Sequence, residues 1–217
     1  MSKHHKSAED QLVIAGCESL SLRQFDRIVF EKYGVVCGID EAGRGPLAGD
    51  VYAAAVILDE NNPIEGLNDS KKLTEKKREM LFSEIVSKAK AYCIAWATVE
   101  EIDETDILSA DLLAMKRAYE GLGISADVVI VDGDVLPDIN GFVKNLNKGD
   151  ATSESVAAAS ILAKVARDRY MLEQAAKYPE YGFERHKGYG TEIHRKAILE
   201  YGACPIHRKS FLKKILK

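Results

Sequence analysis

Apolar residues recur at helical spacing in four segments of the chain. Residues 21–34 place apolar side chains on one helical face, and the closing glycine is a natural C-cap. Residues 74–91 open with a threonine suited to an N-cap. Residues 100–123 are acidic first and apolar later, and residues 152–178 are dense in alanine and serine. Each segment predicts a helix, and the small side chains of the last one allow close approach to a sheet.

Four shorter apolar runs are typical of β-strands. They cover residues 35–40, 51–58, 91–99 and 128–133. The fourth is an unbroken apolar run that ends in an acid, which suits a central, buried strand. Because strands and helices follow one another along the chain, the pattern predicts an α/β domain with a mixed sheet flanked by helices.

Composition places the chain among soluble globular proteins. Its 217 residues are 46% hydrophobic and 29% charged, enough for one substantial core. No run approaches the ~18 apolar residues of a membrane span. The first residues, MSKHHKSAEDQ, lack the apolar core of a secretory signal, so we expect a cytoplasmic protein. The cysteines at 17, 37, 93 and 204 form no CxxC pair, which predicts reduced, packed thiols.

Charge is distributed unevenly along the chain. The net charge is −4, yet residues 185–217 contain nine Lys/Arg and only two acids, so this tail carries +7 and the rest −11. Such asymmetry indicates either a polyanionic partner or merely a solvated basic helix end.

Acids at the ends of apolar strands are the main candidates for chemistry. Asp40 and Asp132 each end a strand before a glycine-bearing turn, where open α/β sheets gather their ligand sites. Glu41 would point the opposite way in an extended strand, and joins them only if the chain bends at Gly43. Asp150 directly precedes the alanine-rich helix, whose N-terminus favours anions.

A cluster of carboxylates requires cations to remain ionised. Oxygen ligands without nearby cysteine or paired histidine indicate a hard ion, Mg²⁺ or Mn²⁺. The arginine and glycine N–H groups of GRG (43–45) are then candidate phosphate or sugar ligands. Each acid alone is more often a cap or turn residue. Together with GRG, the acids favour a metal-dependent nuclease.

Other motifs give no support to rival chemistries. The glycine loop lacks the P-loop pattern GxxxxGK[ST], and its spacing does not match GxGxxG. His186, His194 and His207 lack the spacing of a zinc site. No serine or cysteine stands in a recognisable nucleophile motif, so covalent catalysis is unsupported.

Six segments, in the family's order, resemble the ribonuclease HII family: GIDEAGRGPLAG, LNDSKKL, EIDETDIL, VDGD, NKGDATSESVAAASILAKVARDRYM and YGFERHKGYGT. The resemblance runs from about Gly34 to the C-terminus. It implies an RNase H-like fold, a mixed five-stranded sheet flanked by helices, with a C-terminal helical extension. It also implies cleavage of RNA in RNA–DNA hybrids and incision 5′ of single ribonucleotides in duplex DNA, leaving 3′-hydroxyl and 5′-phosphate ends.

The resemblance assigns roles to ten residues. The family's catalytic and metal-binding acids fall on Asp40, Glu41, Asp132 and Asp150. Its substrate-binding residues fall on Gly43, Arg44, Gly45 and Tyr189, with Ser70 and Lys71 near the nucleic-acid backbone. The resemblance implies that the family's substrate-sensing tyrosine, which packs against a deoxyribose, falls on Tyr189, although Tyr181 lies only eight residues earlier.

The family also implies two Mg²⁺ or Mn²⁺ ions during catalysis. Asp40 and Asp132 would share them, with Glu41 and Asp150 completing one shell each. We expect residues 1–33 to form an N-terminal helical segment and residues 34–217 the catalytic domain, whose helical extension covers about 178–217. We expect a monomer, and the tail FLKKILK has no clear sliding-clamp motif.

Three alternatives differ in specific features. Ribonuclease HIII normally has lysine in place of Arg44 and a sizeable N-terminal domain, for which about 33 residues before the first strand are too few. A non-catalytic hybrid-binding protein on this fold would be expected to lack one of the four acids. A phosphotransferase would need an ATP loop, which we do not find.

Overall fold

The computed structural model describes residues 11–12, 14, 19–213 and 215–216. Its strands are β1 (Val36–Ala42), β2 (Val51–Ile57), β3 (Ala91–Ala97), β4 (Val128–Asp132) and β5 (Val143–Leu146). Its helices are α1 (Leu22–Tyr33), α2 (Glu75–Lys88), α3 (Val99–Glu104), α4 (Ile107–Glu120), α5 (Glu154–Lys177), α6 (Phe183–His186), α7 (Glu192–Tyr201) and α8 (Lys209–Leu212). Short 3-10 turns at Ser70–Lys72, Gly149–Ala151 and Pro179–Tyr181 connect them.

The five strands form one mixed sheet in the order β3-β2-β1-β4-β5. β1 pairs antiparallel with β2 and parallel with β4, and β5 pairs parallel with β4. The predicted fold class is therefore confirmed. The sheet has helices on both faces: α4 packs over one face of the β1–β2–β3 half, and α2 and α5 pack over the other.

The alanine-rich helix α5 lies directly on the central strand β1. A side chain at Gly38 would place its Cβ only 2.2 Å from the backbone carbonyl carbon of Ser155. Ala157, Ala158 and Ala159 are completely buried in the same interface. Small residues on both elements therefore set the distance between helix and sheet, as the alanine and serine content of 152–178 predicts.

The structure differs from the predicted elements at two places. The segment 100–123 forms two helices rather than one, because the carboxylate of Asp106 accepts hydrogen bonds from the backbone of Leu108 and Ser109 and starts α4. The apolar pattern does not predict strand β5, because VKNL alternates apolar and polar residues over only four positions, too few for a clear strand signal.

The ends of the chain pack on this sheet in different ways. Phe25 and Val29 of α1 are buried in a cluster with β1 and β4. Helices α6 to α8 follow α5 and form the predicted C-terminal extension around Phe183. The division at residue 33/34 stays a prediction. Across the described residues, no helix combines the length and apolar character needed to cross a membrane.

The predicted reduced cysteines are confirmed where the structure describes them. Cys37 and Cys204 are buried free thiols, and Cys93 is half-buried and free. Cys17 lies outside the described residues.

The contact at Gly38 predicts a stability effect. Gly38→Ala should lower the free energy of unfolding by about 3 kcal/mol or more, because the added methyl group meets the rigid backbone of α5. Chemical denaturation measures this loss. Cys37→Ala, on the same strand, is the matched control and should cost on the order of 1 kcal/mol. Equal losses for the two variants would contradict the close approach.

Candidate active site

Asp40 and Asp132 come together because their strands are parallel neighbours. The ladder aligns Ile39 with Val131, so the next residue on each strand is an aspartate. Asp40 is buried, and its carboxylate accepts hydrogen bonds from the backbone N–H of Glu41 and from Ser160 of α5. Because the two strands are neighbours, the two strand-ending acids meet.

Asp150 reaches the same point from the turn before α5. The backbone N–H of Gly149 donates to the Oδ1 atom of Asp132 over 3.0 Å, which fixes the turn against the strand end. Carboxylate oxygens of Asp40, Asp132 and Asp150 then lie within 4.8 Å of one another. Lys71 places its Nζ 3.5 Å from the Oδ2 atom of Asp150 and offsets part of the negative charge.

Glu41 approaches the site from the other face of the sheet. It lies opposite Ala53, which packs under α4, whereas Asp40 lies opposite Ala54, which packs under α5. Strand β1 continues to Ala42, so the alternation expected for an extended chain holds at both acids. Glu41 nevertheless lines the same cleft, with its Oε1 atom 3.7 Å from Nη1 of Arg44.

A further acid, Asp111 of α4, meets this group from the α4 face. Its Oδ2 atom lies 3.4 Å from Nε of Arg44, and its side chain is 2% exposed. The Oδ1 atom of Asp111 is buried and has no hydrogen-bond partner among the described residues. Arg44 is thus held between two carboxylates, one on β1 and one on α4. Sequence reasoning missed Asp111, because SADLLAM looks like an ordinary helical segment.

Burial and mutual repulsion raise the pKa of several of these carboxyl groups. The pKa of Asp40 is raised well above its usual value by burial and then by the charges of Glu41 and Asp132. Burial also raises the pKa of Glu41, against the opposing charge of Arg44. The pKa of Asp150 is raised by burial and by Asp132. A bound cation would relieve this repulsion, so the site suits a divalent metal.

The glycine loop, residues 43–50, borders the acids. Gly43 has φ +104°, and a Cβ there would lie 2.0 Å from Nε of Arg167, so both backbone and space require glycine. The loop's carbonyl groups accept hydrogen bonds from two buried arginines. Arg208 donates to the carbonyls of residues 43, 44, 46 and 49 over 2.6–2.9 Å, and Arg167 to those of residues 48 and 50 over 3.1 Å.

Neither guanidinium forms an ion pair with a carboxylate within the part of the chain that the structure describes. Burial lowers the pKa of Arg208 to about 9. Sequence reasoning counted Arg208 as part of the basic tail. The structure corrects this, because Arg208 is completely buried and presents no charge at the surface. No local signal in the sequence separates this arginine from its exposed neighbours.

Almost all of the predicted site residues line one cleft of about 390 Å³. The lining includes nine of the ten predicted residues: Asp40, Glu41, Gly43, Arg44, Gly45, Ser70, Lys71, Asp132 and Tyr189. Asp150 belongs to the acid cluster beside them. Ser70 is buried, with its hydroxyl 2.9 Å from that of Ser160, and so supports the residue that donates to Asp40.

The structure separates the two candidate tyrosines. Tyr189 is 48% exposed and stands beside the glycine loop, since a Cβ on Gly45 would lie 3.5 Å from its ring. Tyr181 is buried and donates its hydroxyl hydrogen bond to the carbonyl of Gly202. Only Tyr189 is placed to meet a ligand in the cleft.

Comparison with known proteins gives a consistent family. The family model described as Ribonuclease HII matches residues 37–214. The ribonuclease HII of Caldicellulosiruptor saccharolyticus is 56% identical over 192 residues, which covers 88% of this chain and 94% of the relative.

Two solved structures resemble the fold. The ribonuclease H2 of Pyrococcus horikoshii OT3 matches with a TM-score of 0.70 and 33% identity, covering 83% of this chain and 96% of the other. The RNase HII in a complex with PCNA from Archaeoglobus fulgidus matches with a TM-score of 0.65 and 27% identity, covering 81% and 94%. On the family match, the sequence identity and the shared fold, the chain belongs to the ribonuclease HII family.

Proposed function

We propose that this ribonuclease of RNA–DNA hybrids also incises duplex DNA on the 5′ side of a single embedded ribonucleotide, leaving 3′-hydroxyl and 5′-phosphate ends. The observation that carries the proposal is a cluster of three carboxylates within 4.8 Å of one another, two of which line the same cleft as a glycine loop and an exposed tyrosine. The acids supply a hydrolytic centre, and the loop and tyrosine supply recognition of the sugar.

The acid cluster fits a divalent metal. Its donors are all oxygen atoms, two of the three acids are buried, and within the part of the chain that the structure describes only Lys71 lies close enough to Asp150 to pair with it. Asp40, Asp132 and Asp150 would hold Mg²⁺ or Mn²⁺, two ions during catalysis, with Glu41 joining from the α4 face. Such ions, when bound, supply an activated water and stabilise the charge on the leaving 3′ oxygen.

Recognition falls to the loop and to Tyr189. Reading a 2′-hydroxyl is how a protein distinguishes RNA from DNA, and a glycine loop lets backbone N–H groups approach it closely. Arg44, half-exposed in the cleft, would bind a neighbouring phosphate. The ring of Tyr189 would pack on the deoxyribose that follows the ribonucleotide, where a 2′-hydroxyl would be crowded. Because one chain provides all these residues, we assign the activity to a monomer.

The first prediction from the proposed function concerns cleavage of the substrate. With Mg²⁺ or Mn²⁺, the protein should cut a labelled duplex containing one ribonucleotide once, on its 5′ side, and leave an all-DNA duplex intact. Asp40→Asn should reduce the rate by roughly 10³-fold or more, because a central oxygen ligand loses its charge. Asp138→Asn, at a fully exposed carboxylate that pairs with Lys116 and does not line the cleft, is the matched control and should retain full activity. Cutting of only long RNA tracts would reject junction incision.

The second prediction concerns the metal-free protein. Asp40→Asn should raise the free energy of unfolding without metal by roughly 0.5–2 kcal/mol, because it removes one of several repelling buried charges. The rise in melting temperature that Mn²⁺ produces in the parent protein should disappear. Asp103→Asn is the control: its carboxylate caps α8 by accepting from Lys209 and Ser210, so this variant should be less stable and keep the Mn²⁺ response. A lower metal-free stability for Asp40→Asn would contradict the repulsion.

The third prediction separates the tyrosines. Tyr189→Ala should lower kcat/KM for the single-ribonucleotide duplex by about 10- to 100-fold while cleavage of a long hybrid changes little, because the ring no longer positions the sugar. Tyr189→Phe, which keeps the ring, should behave like the parent protein. Tyr181→Phe should lower the melting temperature through loss of its bond to Gly202 and leave substrate preference unchanged. If Tyr181→Phe alone altered preference, the assignment to Tyr189 would be wrong.

A further inference from the structure

Two adjacent residues of the C-terminal extension, His207 and Arg208, lie behind two different segments that border the cleft. His207 forms an antiparallel bridge with Ala48 of the glycine loop, and Arg208 has extended backbone angles. Successive side chains of an extended segment point in opposite directions. The Arg208 side chain reaches the glycine loop. The His207 side chain reaches His194, which contacts the segment that carries Tyr189, residues 187–190.

Arg208 fixes which way the peptide groups of the glycine loop point. Its guanidinium binds the carbonyl oxygens of Gly43 and Arg44 from inside the protein. In a planar trans peptide, the C=O of one residue and the N–H of the next point in opposite directions. The N–H groups of Arg44 and Gly45 therefore point away from Arg208, on the side of the loop where the cleft lies.

His207 begins a hydrogen-bond chain that ends at the backbone of Tyr189. The N–H of Cys204 donates to Nδ1 of His207 over 3.0 Å, so the ring proton of His207 is on Nε2. Nε2 of His207 lies 3.0 Å from Nε2 of His194 and donates to it. The proton of His194 is then on Nδ1, which donates to the carbonyl of Tyr189 over 2.9 Å.

The chain of histidines works only with neutral rings. Each of the two rings uses one nitrogen as donor and the other as acceptor, and a second proton would leave two donors facing each other. Burial lowers the pKa of both His194 and His207 to about 4, consistent with neutral rings at physiological pH. Backbone bonds tie the same parts together, since the N–H of Leu47 donates to the carbonyl of Gly188 and that of Arg208 to the carbonyl of Leu47.

From these contacts we infer that His207 and Arg208 are positioning residues that hold the glycine loop and the Tyr189 segment in one fixed relative geometry. Ribonucleotide recognition is then set by a dipeptide that does not line the cleft. The inference has a functional consequence, that the 2′-hydroxyl site and the sugar-packing ring of Tyr189 act as a unit. This consequence rests on the proposed function. Its structural part, that both segments depend on the dipeptide, is independent of any activity.

Amide hydrogen exchange tests the structural part. Arg208→Ala should speed exchange in residues 43–50 and also in residues 187–190, and methylguanidinium chloride should restore slow exchange where methylammonium chloride at the same concentration does not. His207→Phe, which keeps a ring but has no donor, should speed exchange in residues 187–190. Arg27→Ala, at an exposed arginine that pairs within α1, is the matched control and should change neither segment. Faster exchange in residues 43–50 alone would overturn the link.

Steady-state kinetics test the consequence. On a duplex with one ribonucleotide, Arg208→Ala should raise KM by about 10- to 100-fold, and methylguanidinium should reverse the change. The rise in melting temperature caused by Mn²⁺ should persist, because the acids belong to β1, β4 and the turn before α5. The double variant Arg208→Ala, Tyr189→Ala should have the same kcat/KM as the less active of the two single variants, because the two changes disable one unit.

Three outcomes separate the possibilities. Additive effects of Arg208→Ala and Tyr189→Ala on kcat/KM would overturn the inference that the loop and Tyr189 act as a unit. An equal loss of Mn²⁺ response, melting temperature and activity on every substrate, without rescue by methylguanidinium, would reduce Arg208 to a stabilising residue and reject the proposal. If hydrogen exchange changes as expected but the parent protein cuts neither the single-ribonucleotide duplex nor a long hybrid, the positioning role is supported and the proposed function fails.

Discussion

Three carboxylates held within 4.8 Å of one another repel, and much of the structure around them supplies the opposing forces. The parallel ladder between β1 and β4 fixes Asp40 and Asp132, because a strand buried on both faces cannot shift to separate its last side chain. The N–H of Gly149 and the hydroxyl of Ser160 each donate to a carboxylate of the cluster. These neutral donors reduce the repulsion without removing the negative charge, so the site keeps its attraction for a cation.

Positive charge is arranged around this cluster in two ways. Lys71 and Arg44 are partly exposed beside the acids, where a substrate can compete for them. Arg167 and Arg208 are buried behind the glycine loop and use their donors on backbone carbonyls instead of carboxylates. A guanidinium carries five N–H donors in one plane, so a single residue can orient several peptide groups. Lysine, with one nitrogen, could not bind the same set of carbonyls.

The sequence predicts the parts of the site that depend on local periodicity. Apolar runs ending in Asp40 and Asp132 indicate both strands and the kind of sheet edge where ligand sites gather. The parallel pairing that brings the two acids together is shown by the structure and not by the pattern. The buried position of Arg208 behind the glycine loop, the buried position of Asp111 and the strand β5 could not be obtained in this way. Each depends on contacts between residues far apart in the chain, and an arginine or aspartate near a helix end looks the same whether buried or exposed.

Chemistry and recognition therefore have separate structural origins. The acids are carried by the central sheet and the start of α5, where a change in geometry would also disturb the core. The loop and Tyr189 are held by Arg167 of α5 and by the extension after it. The apolar cluster of this extension, around Phe183, packs beside that core. A substitution in the extension can thus alter how the loop and the tyrosine are aligned while the strand ends stay in place. In the proposed function, the alignment that selects the sugar thus depends on the extension, and the acids that hydrolyse the substrate depend on the sheet and the start of α5.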